Sequence, residues 1–128
     1  MIDPTQPGEA AATFLAEYHL ATLTTLRPDG SPHVVAVGFS YEAATQTARV
    51  ITFAGSVKAR NAARGGRAAL CQVDGGRWLT LEGTVSLVTE PERVERAVSG
   101  YATRYRQPGE RNDRVAIEIA VDRILGRA

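Results

Sequence analysis

Ser56, Lys58 and Arg60 stand at alternate positions at the start of a short helical stretch, Ser56-Val57-Lys58-Ala59-Arg60-Asn61-Ala62-Ala63-Arg64. Its first turn contains no acidic residue. A helix start is already partly positive, so Lys58 and Arg60 oppose the local dipole, and something should compensate. A bound phosphate would do so by accepting hydrogen bonds from the free amides, the Ser56 hydroxyl, Lys58 and Arg60. The alternative is that Lys58 and Arg60 point into solvent and only keep the protein soluble; these residues alone leave the two readings even. The wider charge pattern bears on the choice. No acid occurs between Glu42 and Asp74, whereas Arg49, Lys58, Arg60, Arg64 and Arg67 all fall inside that window. Net charge over the 128 residues is only +1, so this is local segregation, of the kind that attracts an anionic ligand. Lys58 is also the single lysine among fourteen arginines. A compact ammonium differs from a guanidinium in hydration and reach, which marks the position out.

Other chemistries lack their residues. The chain has no Gly-x-Gly-x-x-Gly, no Walker-type loop, no His-Glu-x-x-His and no Cys/His cluster. His19 precedes the first strand and reads as structural. His33 opens the second strand and is the better of the two histidines to face a ligand, with a surface or core role equally open. Ser, His and acid fall into no hydrolytic arrangement. Cys71, the one cysteine, lies in the apolar run Ala-Ala-Leu-Cys-Gln-Val and reads as a buried strand thiol without chemistry. If the chain is an enzyme, a cofactor carries the reaction. Nucleic-acid binding is disfavoured, because the basic window has little aromatic interleaving.

The elements that must position these residues fit a single domain, 1–128, with residues 1–7 expected to be flexible. No apolar run approaches the roughly 20 residues of a membrane helix, and the first residues do not resemble a secretory signal; a cytoplasmic protein is expected. Ala11, Phe14, Leu15 and Tyr18 recur at helical spacing between Gly8 and Tyr18. Leu20–Leu26 and His33–Tyr41 read as a hairpin around Arg27-Pro28-Asp29-Gly30-Ser31-Pro32, and Ala48–Phe53 as a third strand. Ser56 is placed to cap a helix from about Val57 to Arg64, which Gly65-Gly66 would stop. Arg67–Val73 and Trp78–Val88 form a second hairpin, with Leu79, Leu81, Val85 and Leu87 on one face. Thr89, as cap, and Pro91 open a helix that ends near Gln107-Pro108-Gly109. Arg114–Asp122 alternates most cleanly of all. Six strands with short turns and no regular β-α-β repetition predict a mainly β, α+β fold: a six-stranded antiparallel barrel with short peripheral helices.

The string Thr52-x-x-x-Ser56-x-Lys58, followed by Arg67-Ala68-Ala69-Leu70, resembles the phosphate-binding segment of the pyridoxamine 5′-phosphate oxidase-like split β-barrel family. His33-Val34-Val35-Ala36-Val37, Ala48-Arg49-Val50-Ile51-Thr52, Lys58-Ala59-Arg60-Asn61 and Gln72-Val73-Asp74-Gly75-Gly76-Arg77-Trp78 look most like its actinobacterial coenzyme F420-dependent biliverdin reductase branch. The resemblance runs from about Phe14 to Gly126. It implies that Thr52, Ser56 and Lys58 hold the phosphate end of F420 or FMN. It further implies a homodimer with the cofactor in a cleft between subunits, one wall from Val34 to Ala36 and from Thr52 through Phe53 to Asn61, the other from the partner's Gln72, Arg77 and Trp78. The activity it implies is direct hydride transfer from reduced deazaflavin to a conjugated small molecule, biliverdin to bilirubin, with no obligatory side-chain acid or base. Val57 stands where FMN oxidases often carry Arg, which favours F420 over FMN. The absence of a Trp- and Arg-containing C-terminal tail argues against pyridoxamine phosphate oxidation. An FMN-dependent reductase or oxidase of the same fold, or a module that binds the cofactor without turnover, are the alternatives.

Overall fold

The computed structural model describes all 128 residues, Met1–Ala128. Its strands are β1 (Ala21–Leu26), β2 (Pro32–Val37), β3 (Ser40–Glu42), β4 (Thr47–Phe53), β5 (Arg67–Asp74), β6 (Arg77–Val88) and β7 (Arg114–Arg127). They form one antiparallel sheet in the order β2-β1-β5-β6-β7-β4-β3. The helices are α1 (Glu9–Ala16), α2 (Val57–Ala63) and α3 (Pro91–Arg104). β2 and β3 follow one another in the chain yet occupy opposite edges of the sheet. The sheet must therefore curl until its edges meet at Gly38-Phe39, giving a barrel that is split along that seam.

The seam corrects one expectation. His33–Tyr41 reads as one extended run, but the strand breaks at Gly38-Phe39, making seven strands rather than six. The cause lies in α3. Phe39 is fully buried; its N–H donates to Tyr105 Oη at 3.2 Å and its carbonyl accepts from Arg104 Nη1 at 2.8 Å. A Cβ at position 38 would come within 2.9 Å of the Tyr101 and Tyr105 rings, so only glycine lets the backbone lie this close to the helix.

β6 and β7 carry the core. The expected alternation of β6 holds, with Leu79, Leu81 and Val85 buried and Leu87 packed beside them. β7 runs on to Arg127, five residues beyond the expected end at Asp122. Between Glu82↔Arg123 and Gly83↔Val121 the register slips, leaving Asp122 unopposed in a bulge. The extra residue moves burial from Val121 to Ile124, breaking the period of two that would have announced the strand.

Smaller expectations also shift. The N-cap of α3 is Glu90, without a side-chain bond, rather than Thr89, although Pro91 does open the helix. Tyr18 lies beyond α1 and is exposed. Within residues 1–7, the Ile2 amide donates to Ile124 O at 3.0 Å, and Tyr41 Oη donates to Pro4 O. No helix is long and apolar enough to cross a membrane.

Candidate functional site

The β4–α2 junction builds the hydroxyl part of the site. Ser56 is the N-cap of α2, as its position predicts, and its Oγ accepts from Ala59 N at 3.1 Å. The same oxygen accepts from Thr52 Oγ1 at 3.0 Å. Both hydroxyls are buried. An oxygen that accepts twice still has its own proton to donate, so the pair presents one free O–H at the start of α2. Asn61, also buried, fastens α2 to β1: its Nδ2 donates to Thr25 Oγ1 at 3.0 Å, and its Oδ1 accepts from Arg64. Arg64 also reaches Leu26 O at 2.8 Å. Arg60 folds back, with Nη1 donating to Gly55 O at 2.9 Å; it braces the loop before α2 and is otherwise exposed.

Lys58 takes a different path from its neighbours. It lines a cavity of about 260 Å³ with Ala36, Gly38, Ile51, Tyr101 and Arg114 among its walls. No carboxylate belongs to that lining, and Lys58 makes no ion pair in the chain. Burial alone holds its pKa below the ordinary lysine value, because the charged form loses hydration with no counter-charge to replace it. Lys58 is half-buried at the wall of this open cavity rather than fully exposed.

Arg114 is the residue that sequence reasoning missed. It heads β7 opposite Phe53. In a strand that alternates Arg114, Ala116, Glu118 against valines and isoleucines, an arginine reads as solvent-facing. The available signal was register: pairing the end of β4 with the start of β7 puts Arg114 beside the β4–α2 junction. Its Nε is buried and has no hydrogen-bond partner.

The remaining expected residues separate into groups. Within β2, Ala36 lines the Lys58 cavity, Val34 is exposed and Val35 turns inward against the core. His33 is half-buried, and its Nδ1 has no partner. Phe53 lies under the Arg111 guanidinium, 4.6 Å from its ring centre. Arg77 is held by Glu17 at 3.0 Å and Asp74 at 2.6 Å and covers the Phe14 ring at 4.4 Å. His19 joins this group through Glu17 at 2.9 Å, which fits a structural role. Trp78 is partly exposed beside it in sequence, paired with Arg127. Phe53 pairs with one end of β7 and Trp78 with the other. Thr52 to Asn61 and the Arg77–Trp78 turn thus sit toward opposite ends of β7, whereas Val34 to Ala36 lie in the same sheet as Gln72, two strands away through β1.

Gln72 requires correction. It is fully buried, its Nε2 donating to Phe14 O at 2.8 Å and its Oε1 accepting from Arg104 Nη2. It ties α1, β5 and α3 together and offers nothing to a ligand. Gln72→Leu should destabilise the fold by about 1–3 kcal/mol, through the acceptors and donors left unpaired, while leaving ligand affinity unchanged; thermal unfolding and titration of the same preparation check both. Cys71, on the opposite face of β5, is half-exposed rather than buried.

The pyridoxamine 5′-phosphate oxidase family profile matches residues 7–128. The chain belongs to this family. Among members of known activity, it is 52% identical over 124 residues to the F420H(2)-dependent biliverdin reductase of Mycobacterium tuberculosis, covering 97% of this chain and 90% of that protein. Of solved structures of this fold, a conserved hypothetical protein of Mycobacterium tuberculosis superposes with a TM-score of 0.77 at 28% identity, over 91% of this chain and 81% of that one. An F420 reductase superposes with a TM-score of 0.74 at 24% identity, over 92% and 98% of the two chains. The pyridoxamine 5′-phosphate oxidase fold thus accounts for the split barrel. Locally, the chain carries an acid-free cavity lined by Lys58 and Arg114.

Proposed function

We propose that the chain is a coenzyme F420-dependent reductase that converts biliverdin to bilirubin. The observation that carries the reading is the 52% identity, spread over 97% of the chain, to an F420H(2)-dependent biliverdin reductase. The site fits a phosphate-bearing cofactor. Lys58 is desolvated without a counter-ion, Arg114 Nε is buried without a partner, and Ser56 keeps a proton to donate. An anion in the cavity would give Lys58 and Arg114 a shared partner. Bound F420H2 would supply a hydride to the conjugated substrate. The chain itself grips and orients: Lys58 and Ser56 would fix the phosphate end, with Thr52 holding Ser56 in place.

A homodimer completes the site. The Arg77–Trp78 turn lies at the far end of β7 from the β4–α2 junction, which suits it to form a second wall from another subunit. One sheet face suits such an interface. Leu26, Val34, Val73 and Trp78 point the same way across β1, β2, β5 and β6, and they are 44%, 58%, 59% and 39% exposed. Scattered apolar residues are normal on a monomer, but an aligned face of them marks an interaction surface. Placing a charge there, as Val73→Glu, should convert the dimer to a monomer in sedimentation and weaken cofactor binding at the same time.

Turnover is tested by mixing the protein with F420H2 and biliverdin. Bilirubin should appear as the fluorescence of oxidised F420 returns. Cofactor binding without any such change would reduce the protein to a passive binder.

A further inference from the structure

Arg114 differs from Arg93 and Arg111, which meet Glu118 at 2.6 Å and Asp113 at 2.9 Å. Arg114 meets no carboxylate and makes no side-chain hydrogen bond, and its Nε is shut away from solvent. A guanidinium nitrogen in that position is costly unless a partner arrives.

Its placement is equally specific. Arg114 and Lys58 line the same cavity, which has no acid among its walls. The backbone holds both ends of the arrangement: Arg114 pairs with Phe53 across the sheet, and the Ala54 amide donates to Asp113 O at 2.9 Å. The loop that delivers Ser56 and Lys58 is therefore clamped to the strand that delivers Arg114. Arg114 and Pro108 also line a second, larger cleft of about 600 Å³, whose walls carry Gln107, Asn112 and Arg111 together with the carboxylates of Glu95 and Glu110. Arg114 stands at the junction of the two.

We propose that Arg114 is the second cation of the phosphate grip, closing on the anion from β7 while Lys58 approaches from α2, and that the polar cleft beyond it receives the chain attached to that phosphate. The inference rests on the reading of the Lys58 cavity as the cofactor's phosphate site and adds to it a residue that fixes where the phosphate sits. A guanidinium offers several N–H groups in one plane and suits a tetrahedral oxyanion held between two elements better than a second ammonium would.

The test compares wild type with Arg114→Gln, Arg114→Lys and Lys58→Ala. Apo proteins are melted with and without inorganic phosphate, and each is titrated with F420 at two salt concentrations. Arg114→Gln should keep the wild-type melting temperature without phosphate, because it removes no internal bond. It should lose the stabilisation by phosphate, and its F420 dissociation constant should rise tenfold or more with a shallower salt dependence. Arg114→Lys should recover part of the affinity, and it carries the test should the glutamine variant fold poorly. Equal F420 affinity for wild type and both Arg114 variants would overturn the inference while leaving the Lys58 site standing. Wild type that binds neither phosphate nor F420, or Lys58→Ala that binds as wild type does, would overturn the underlying reading and the inference with it.

Discussion

Lys58→Ala should fold normally and bind F420 about 10- to 150-fold more weakly, the equivalent of losing one charge-assisted contact of roughly 1.5–3 kcal/mol. Normal folding is expected because Lys58 forms no ion pair in the chain; its replacement removes a cost of burial, not a bond. The pH dependence follows from the same facts. Burial lowers the Lys58 pKa, so in the free protein the charged form is penalised below that lowered value, and the penalty lifts as pH rises through it. Apo stability should thus gain slightly in alkali from this group. Phosphate affinity has the opposite sign: it needs the ammonium, is fully present at neutral pH and falls as pH climbs toward the ordinary lysine range. Lys58→Arg stays charged throughout that range, so its affinity should be flat where the wild type declines. A titration series by cofactor fluorescence from neutral to alkaline pH measures both curves.

Gly83→Ala should be strongly damaging to the barrel. A Cβ at this position would lie 2.0 Å from Ala120 O and 2.6 Å from its carbonyl carbon. These are backbone atoms of β7, which cannot rotate aside as a side chain would. Relief requires β6 and β7 to part at the bulge between Glu82 and Gly83, beside the buried Val85, Ile119 and Val121. The expected loss is about 3 kcal/mol or more, above the usual cost of overpacking because the backbone must move. In a domain of this size that corresponds to a fall in melting temperature of at least ~10 °C. Gly76→Ala is the matched control, since nothing lies within 4 Å of its added Cβ, and it should melt within about two degrees of wild type.

These two residues also show what could be read ahead of the structure. The chemistry of the β4–α2 junction was legible because it is local: Ser56 caps the helix it precedes, and the glycines that stop α2 are adjacent to it, with φ of +77° and +92° at Gly65 and Gly66. The alternation along β6 was legible for the same reason. The bulge was not, because an unopposed Asp122 is defined by the partner strand. Nor was the break at Gly38-Phe39, where a continuous β-prone run is interrupted by tyrosines more than 60 residues away. Gln72 sits in phase with the buried Ala68 and Leu70, so its inward direction was readable, but the Arg104 that satisfies it was not. Arg114 is the extreme case. Its identity and strand were plain, whereas its lack of any partner is a property of the space around it.

The dimer reading has the same character. Leu26, Val34, Val73 and Trp78 are spread over 53 positions of sequence, and only strand register brings them onto one face. The resemblance of Gln72–Trp78 to a cofactor wall carried over to Arg77 and Trp78 as surface residues at a hairpin end, and failed for Gln72, which faces inward. Within the subunit Arg77 is already paired with Glu17 and Asp74, so its part in a partner's cleft would be to present a fixed edge.

The most direct measurement of the cofactor assignment is a fluorescence titration of the purified protein with F420 and, separately, with FMN. Saturable F420 binding that is abolished or strongly weakened by Lys58→Ala, with FMN binding much weaker, is the predicted result. Tight FMN binding with negligible affinity for F420 would contradict it.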